Sequence, residues 1–149
     1  MKVLVMKNEI LITGPNLKQK ADKPEMLIIF FHGWGSNGDD LIQLAPLFAK
    51  HFPTAFFISP NGPEACPQNP YGGRQWFGLN FNNDGSIDRS EMPKKVSIAS
   101  EKAKIFIKHW QNELSISDDK TFLIGFSQGS MLALEIGTNI LLGGLLCYS

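Results

Sequence analysis

The sequence predicts a three-layer α/β fold built around a mostly parallel sheet. Three observations carry this reading. Leu27-Ile28-Ile29-Phe30-Phe31 is a continuous apolar run, as expected of a central strand covered on both faces. Thr121 to Phe126 is a second run, β-branched and aromatic, that enters a helical stretch through a glycine-flanked turn. Between and around them, apolar strands alternate with segments of helical period, the pattern of parallel strands joined by helices.

The elements follow in order. Val3 to Val5 and Ile10 to Thr13 read as a leading hairpin turning at Lys7-Asn8-Glu9. Lys18 to Pro24 is a polar connection to the first parallel strand, Leu27 to Phe31. A helix is expected within Asp39 to Phe52, with Leu41, Leu44, Leu47 and Phe48 on one face. Pro46 kinks that helix or restarts it from its own first turn. Ala55 to Ser59 is the next strand. Pro60 to Asn83 is rich in Pro, Gly and Asn breaks and reads as a long functional loop. Met92 to Leu114 is a long amphipathic helix, with Val96, Ala99, Ala103, Phe106 and Trp110 three and four apart. Its lysines are a solvated face rather than a membrane or nucleic-acid surface. The strand at Thr121 to Phe126 and the helix at Gln128 to Ile136 come next, then a strand at Leu145 to Tyr148.

Composition narrows the functional classes. The chain has 149 residues, 43% of them hydrophobic, and a formal net charge of zero. A chain of this length buries about 70% of its unfolded surface, enough for a core. Balanced charge leaves no electrostatic footprint for nucleic acid. No apolar run approaches the roughly 20 residues that span a bilayer. The N-terminus is charged too early for a signal peptide. Cys66 and Cys147 fit neither a metal spacing nor a disulfide framework, so no metal and no cofactor is expected, and the cytosol is the expected compartment.

The chemistry is concentrated at Gly125-Phe126-Ser127-Gln128-Gly129. A strand ending in G-x-S-x-G and running into a helix is the nucleophile elbow of an α/β-hydrolase. The serine occupies a strained turn that holds its hydroxyl clear of the sheet, and the strain favours the small neighbours Gly125 and Gly129. The helix that follows aims its unpaired N–H groups at the site, where a developing oxyanion would sit. The bland alternative is an ordinary strand-to-helix turn with a capping serine. A second motif, His32-Gly33-Trp34-Gly35-Ser36-Asn37-Gly38, follows the first parallel strand, where this fold places the other half of its oxyanion hole. Position then nominates the backbone N–H groups of Trp34 and Gln128 as the two donors.

Three segments carry a family resemblance: FFHGWGSNGDDL at Phe30 to Leu41, GGRQWFGL at Gly72 to Leu79, and LIGFSQGSMLAL at Leu123 to Leu134. In their order and spacing the chain resembles the phospholipase/carboxylesterase family of small serine hydrolases, which includes acyl-protein thioesterases and bacterial carboxylesterases. The resemblance implies an α/β-hydrolase fold with Ser127 as nucleophile and the Trp34 and Gln128 N–H groups as the oxyanion hole. It implies a structural role for His32 and Gly33 in the oxyanion loop, and for Trp76 and Phe77 a place on the acyl side of the cleft. Plain core packing is the competing reading of Trp76 and Phe77.

The resemblance also exposes a gap. In this fold the triad runs Ser, then Asp or Glu, then His. The 22 residues after Ser127 contain no histidine and no aspartate, and their one acidic residue, Glu135, reads as a solvated helix position. The chain is therefore expected to be the N-terminal two-thirds of a single domain, lacking the last strands and helices. His51 and His109 lie on helices and are poor choices for a base. Two readings stay open. One is an ester or thioester hydrolase by descent, weak or inactive alone, whose acid and base come from a complementing C-terminal segment. The other is a non-catalytic remnant or interaction module. An unpaired last strand would leave Leu141, Leu142, Leu145 and Leu146 poorly covered and favour that segment, or a second copy of the chain, as partner.

Overall fold

Alternating apolar residues on the strands build two cores, one against each face of a single sheet. The computed structural model describes residues 12–19 and 23–149. The main sheet has five strands: β1 (Asn16–Lys18), β2 (Met26–Phe31), β3 (Ala55–Ile58), β8 (Thr121–Phe126) and β9 (Gly144–Tyr148). Their order is β1-β3-β2-β8-β9, with β1 antiparallel to β3 and the other neighbours parallel. Leu27 pairs with Phe56 on one side and Thr121 on the other, placing β2 and β8 at the centre.

One face carries Leu27, Ile29, Phe31, Phe56, Ile58 and Leu123. They pack under α3 (Met92–Leu114) and α4 (Gln128–Asn139), which contribute Ala103, Phe106, Trp110, Leu132 and Ile136. The other face carries Ile28, Phe30, Phe57 and Ile124, covered by α1 (Gly38–Ile42) and α2 (Ala45–Ala49) through Leu41, Leu44, Ala45 and Phe48. The side-chain period of two on each strand assigns successive residues to opposite cores.

Most expected elements are present near their expected bounds, and the differences have physical causes. The helix expected within Asp39 to Phe52 is two short helices, with Pro46 in the first turn of the second. There its missing N–H costs nothing. The long loop is not bare: β4 (Glu64–Ala65) pairs with β5 (Arg74–Gln75), and β6 (Asn80–Phe81) with β7 (Ile87–Asp88). Strand β1 falls in a segment read as a connection, because Asn-Leu-Lys is too short and polar to announce a strand. The leading hairpin lies outside the described residues except for Ile12 and Thr13, which are not in a strand. At β9, Leu145, Leu146 and Tyr148 are exposed, Leu141 is 90% exposed, and Leu142 alone of the four named leucines packs partly on the core.

Candidate active site

The carboxyl ends of β2 and β8 bring the two motifs together. Ser127 links β8 to α4 with φ 50° and ψ −111°, a conformation that non-glycine residues rarely adopt. Such a backbone costs on the order of 1–3 kcal/mol and persists only where its surroundings enforce it. Here the Ser127 N–H donates to Tyr148 O on β9 at 2.7 Å, and Ser130 and Met131 N–H groups donate back to Ser127 O. Ser130 Oγ lies 2.7 Å from Gly125 O and 2.6 Å from Tyr148 O, closing the turn from behind. The Ser127 side chain is left exposed.

The flanking glycines serve packing rather than backbone freedom. Neither Gly125 nor Gly129 has a positive φ. A Cβ on Gly125 would stand 2.5 Å from Gly129 O and 2.7 Å from Ser130 Cα. One on Gly129 would collide with the Phe31 carbonyl, 2.5 Å from its carbon, and lie 2.8 Å from His32 O. The pair lets α4 begin in direct backbone contact with β8 and β2. This corrects the expectation that strain at Ser127 itself demands them.

That closeness sets the His32-Gly33-Trp34 loop beside Ser127. A Cβ on Gly33 would be 3.5 Å from Ser127 Cβ and 3.3 Å from Phe126 O. Trp34 comes next, and its N–H has no acceptor among the described residues. Gln128 opens α4, so its N–H has no acceptor within the helix. Trp34 and Gln128 thus each adjoin one residue of the Gly33–Ser127 contact, and neither N–H has a backbone acceptor among the described residues.

His32 is fully buried and committed elsewhere. Gly62 N–H donates to its Nε2 at 2.8 Å, which puts the ring proton on Nδ1, 2.8 Å from Gly33 O. Burial holds its pKa below the ordinary imidazole value, and the Arg74 charge pushes the same way, against the Gly33 hydrogen bond and Asp40. The ring is a neutral strut between Gly33 and the long loop. Among the described residues, no histidine or carboxylate is hydrogen-bonded to Ser127. His109 lies on α3, as the sequence suggested, whereas His51 stands in the turn just past the end of α2 rather than on a helix.

The long loop clamps the loop at His32 to Ser36. Trp34 Nε1 donates to Gln75 Oε1 at 2.8 Å, Gly35 N–H to Arg74 O at 2.9 Å, and Arg74 N–H to Ser36 O at 2.7 Å. Asn69 Nδ2 donates to Gly35 O at 2.7 Å. The Arg74 guanidinium donates to Gly62 O and Pro63 O, fixing the turn that holds His32. Trp76 and Phe77 are 2% and 5% exposed. The Trp76 ring lies against Phe31 and His32, and its indole N–H donates to His32 O at 2.9 Å. These two side chains occupy core positions behind the site. The Gln128 side chain is also buried, its amide bonded to the Trp76 and Phe77 backbone. Sequence reasoning used Gln128 only for its backbone N–H. A polar residue at the first position of a buried helix was the available signal.

The family model for Phospholipase/Carboxylesterase matches residues 13–147. The chain belongs to the phospholipase/carboxylesterase family. It is 33% identical over 121 residues to the esterase YpfH of Escherichia coli strain K12, covering 78% of this chain and 48% of that protein. The crystal structure of esterase PE8 superposes with a TM-score of 0.75 at 29% identity, over 85% of this chain and 57% of that one. A Bacillus cereus carboxylesterase shares the fold, with a TM-score of 0.56 at 21% identity, over 82% of this chain and 51% of that one. This member of the family thus spans about half the length of the curated relative it matches. No helix among the described residues is long and apolar enough to cross a membrane.

Proposed function

We propose that this chain carries the nucleophile and oxyanion hole of a serine hydrolase of carboxylic esters or thioesters. The supporting observation is the strained, exposed Ser127 flanked by the unspent N–H groups of Trp34 and Gln128. In this reading Ser127 Oγ bonds to the substrate carbonyl carbon and passes its proton to a base. The carbonyl oxygen becomes an oxyanion held by the two N–H groups. The leaving alcohol or thiol departs with a proton, and water then releases the acyl group. Gly125 and Gly129 bring the elbow against β2, while His32 and Gly33 shape the oxyanion loop. Trp76 and Phe77 support the acyl side of the cleft from behind.

Serine without an adjacent base is a poor nucleophile at neutral pH. We place the base and its orienting acid in a complementing segment, because the match to the related esterase covers only 48% of that protein. The substrates in view are short esters, acyl thioesters and lysophospholipids, and the compartment is the cytosol, from the sequence argument. The second reading, an interaction module that keeps the fold without turnover, draws on Ser127 having no histidine partner among the described residues. A fluorophosphonate probe separates the two. Slow labelling that a Ser127→Ala variant abolishes supports the hydrolase reading. Labelling no faster than that of free serine, even with the C-terminal half of a longer relative added, supports the module.

A further inference from the structure

The two presumed oxyanion donors come from loops far apart in sequence, and their spacing must be held by something. The Gln128 carboxamide accepts from Trp76 N–H and donates to Phe77 O, both at 2.8 Å, across 52 and 51 residues of chain. Both bonds are buried, so each unmet partner would carry its full desolvation cost. The same short segment reaches the other donor twice. Trp76 Nε1 donates to His32 O, two residues before Trp34, and Gln75 Oε1 accepts from Trp34 Nε1. Gln75 to Phe77 therefore bridges the start of α4 to both ends of His32-Gly33-Trp34.

We infer that the Gln128 side chain, acting through Gln75 to Phe77, is a positioning residue that sets the spacing of the oxyanion-hole N–H groups. This rests on the proposal that Ser127 is the nucleophile. A carboxamide suits the task because one end must accept and the other donate. Methionine has similar length and does neither. Glutamate accepts when ionised and regains a donor only when protonated. Displaced donors would weaken the reaction at Ser127 without weakening reagent capture, since the oxyanion exists only along the reaction path.

The test uses the full chain and three variants, Gln128→Met, Gln128→Glu and Trp76→Phe. Fluorophosphonate labelling of Ser127 is resolved into a maximal rate and a half-saturating concentration. Amide and indole hydrogen exchange is followed at Gly35, Trp34 and Trp76. The expected result for Gln128→Met is a maximal rate at least about tenfold lower at an unchanged half-saturating concentration, because losing one oxyanion donor outright costs about 10²–10³. Exchange should quicken at the Trp34 indole and the Gly35 amide, groups that Gln128 does not touch. Gln128→Glu should show the deficit near about pH 8 and narrow it, relative to the parent, toward about pH 5. Trp76→Phe loses the bond to His32 O and part of the ring packed on Phe31 and His32, and should also lower the maximal rate. Parent-like labelling in Gln128→Met overturns the inference. So does a Gln128→Glu deficit that is constant with pH, or protection at Trp34 and Gly35 that survives in every variant. If Gln128→Met does not fold, Gln128→Glu and Trp76→Phe decide the matter. If the parent is not labelled at Ser127 even with the C-terminal half of a longer relative added, the hydrolase proposal fails, and the exchange at Trp34 and Gly35 still decides the brace.

Discussion

Replacing Gly129 with alanine should be the most damaging one-methyl change in the elbow. The added carbon would stand 2.5 Å from Phe31 C and 2.8 Å from His32 O, and closer still to the Phe31 carbonyl oxygen. Non-bonded carbon atoms are comfortable at about 3.5–4.0 Å, so a gap of about 1 Å must open. The obstacle is main chain, and Phe31 ends β2, where it is paired with Gly125 of β8. It cannot turn aside as a side chain would, so α4 must move instead. Overpacking of this kind costs about 1–3 kcal/mol, and an immovable neighbour puts this case near about 3 kcal/mol. For a chain of this size that is a fall in Tm of roughly 6–12 °C. Gly78→Ala is the matched control: its Cβ meets only Gln75 Nε2, at 3.5 Å, and its φ is not positive. That variant should stay within about 0.5 kcal/mol of the parent. Urea and thermal unfolding of both variants give the comparison. If Gly129→Ala is as stable as Gly78→Ala, then close approach is not why glycine stands there.

Other outcomes follow from the same geometry. Because His32 is held neutral, the unfolded chain takes up a proton as pH falls through 6.5 while the folded chain does not. Stability should therefore be fully present above that pH and decline below it, until His32 also protonates in the folded state. In pH-dependent unfolding, His32→Gln should flatten that slope. Ser130→Ala removes the hydroxyl from Gly125 O and Tyr148 O, and should cost about 1–3 kcal/mol by denaturant titration. The chain alone should hydrolyse p-nitrophenyl esters barely above background. Leu146→Lys should shift any self-associated fraction toward monomer in size-exclusion chromatography with little loss in Tm, since Leu146 is already exposed.

The parts legible in the sequence were those whose signal is local. Leu27 to Phe31 and Thr121 to Phe126 are long apolar runs, and Met92 to Leu114 keeps its period over 23 residues. Ser127 announced its strained turn through the spacing of its glycines, although the reason for those glycines lies in Phe31 and Gly129, on different elements. What stayed hidden depends on partners far along the chain. Asn16 to Lys18 is a strand only because the edge of β3 accepts it. The clamp made by Gln75, Arg74 and Gln128 has no pattern of its own, because its bonds from Gln75 to Trp34 and from Gln128 to Trp76 and Phe77 join residues 41, 52 and 51 positions apart.

The carbonyl of Tyr148 gives the elbow an order of assembly. It accepts the Ser127 N–H and lies within reach of the Ser130 hydroxyl, so the turn has its full set of hydrogen bonds only once β9 is alongside β8. On a ribosome, Ser127 emerges before the strand that holds it in shape. Until Tyr148 follows, the positive φ at Ser127 lacks the bond from its own N–H and is held only by the start of α4. The turn at Ser127 is thus among the last features to become native, and a nascent chain stalled short of Tyr148 would display the motif without the full geometry.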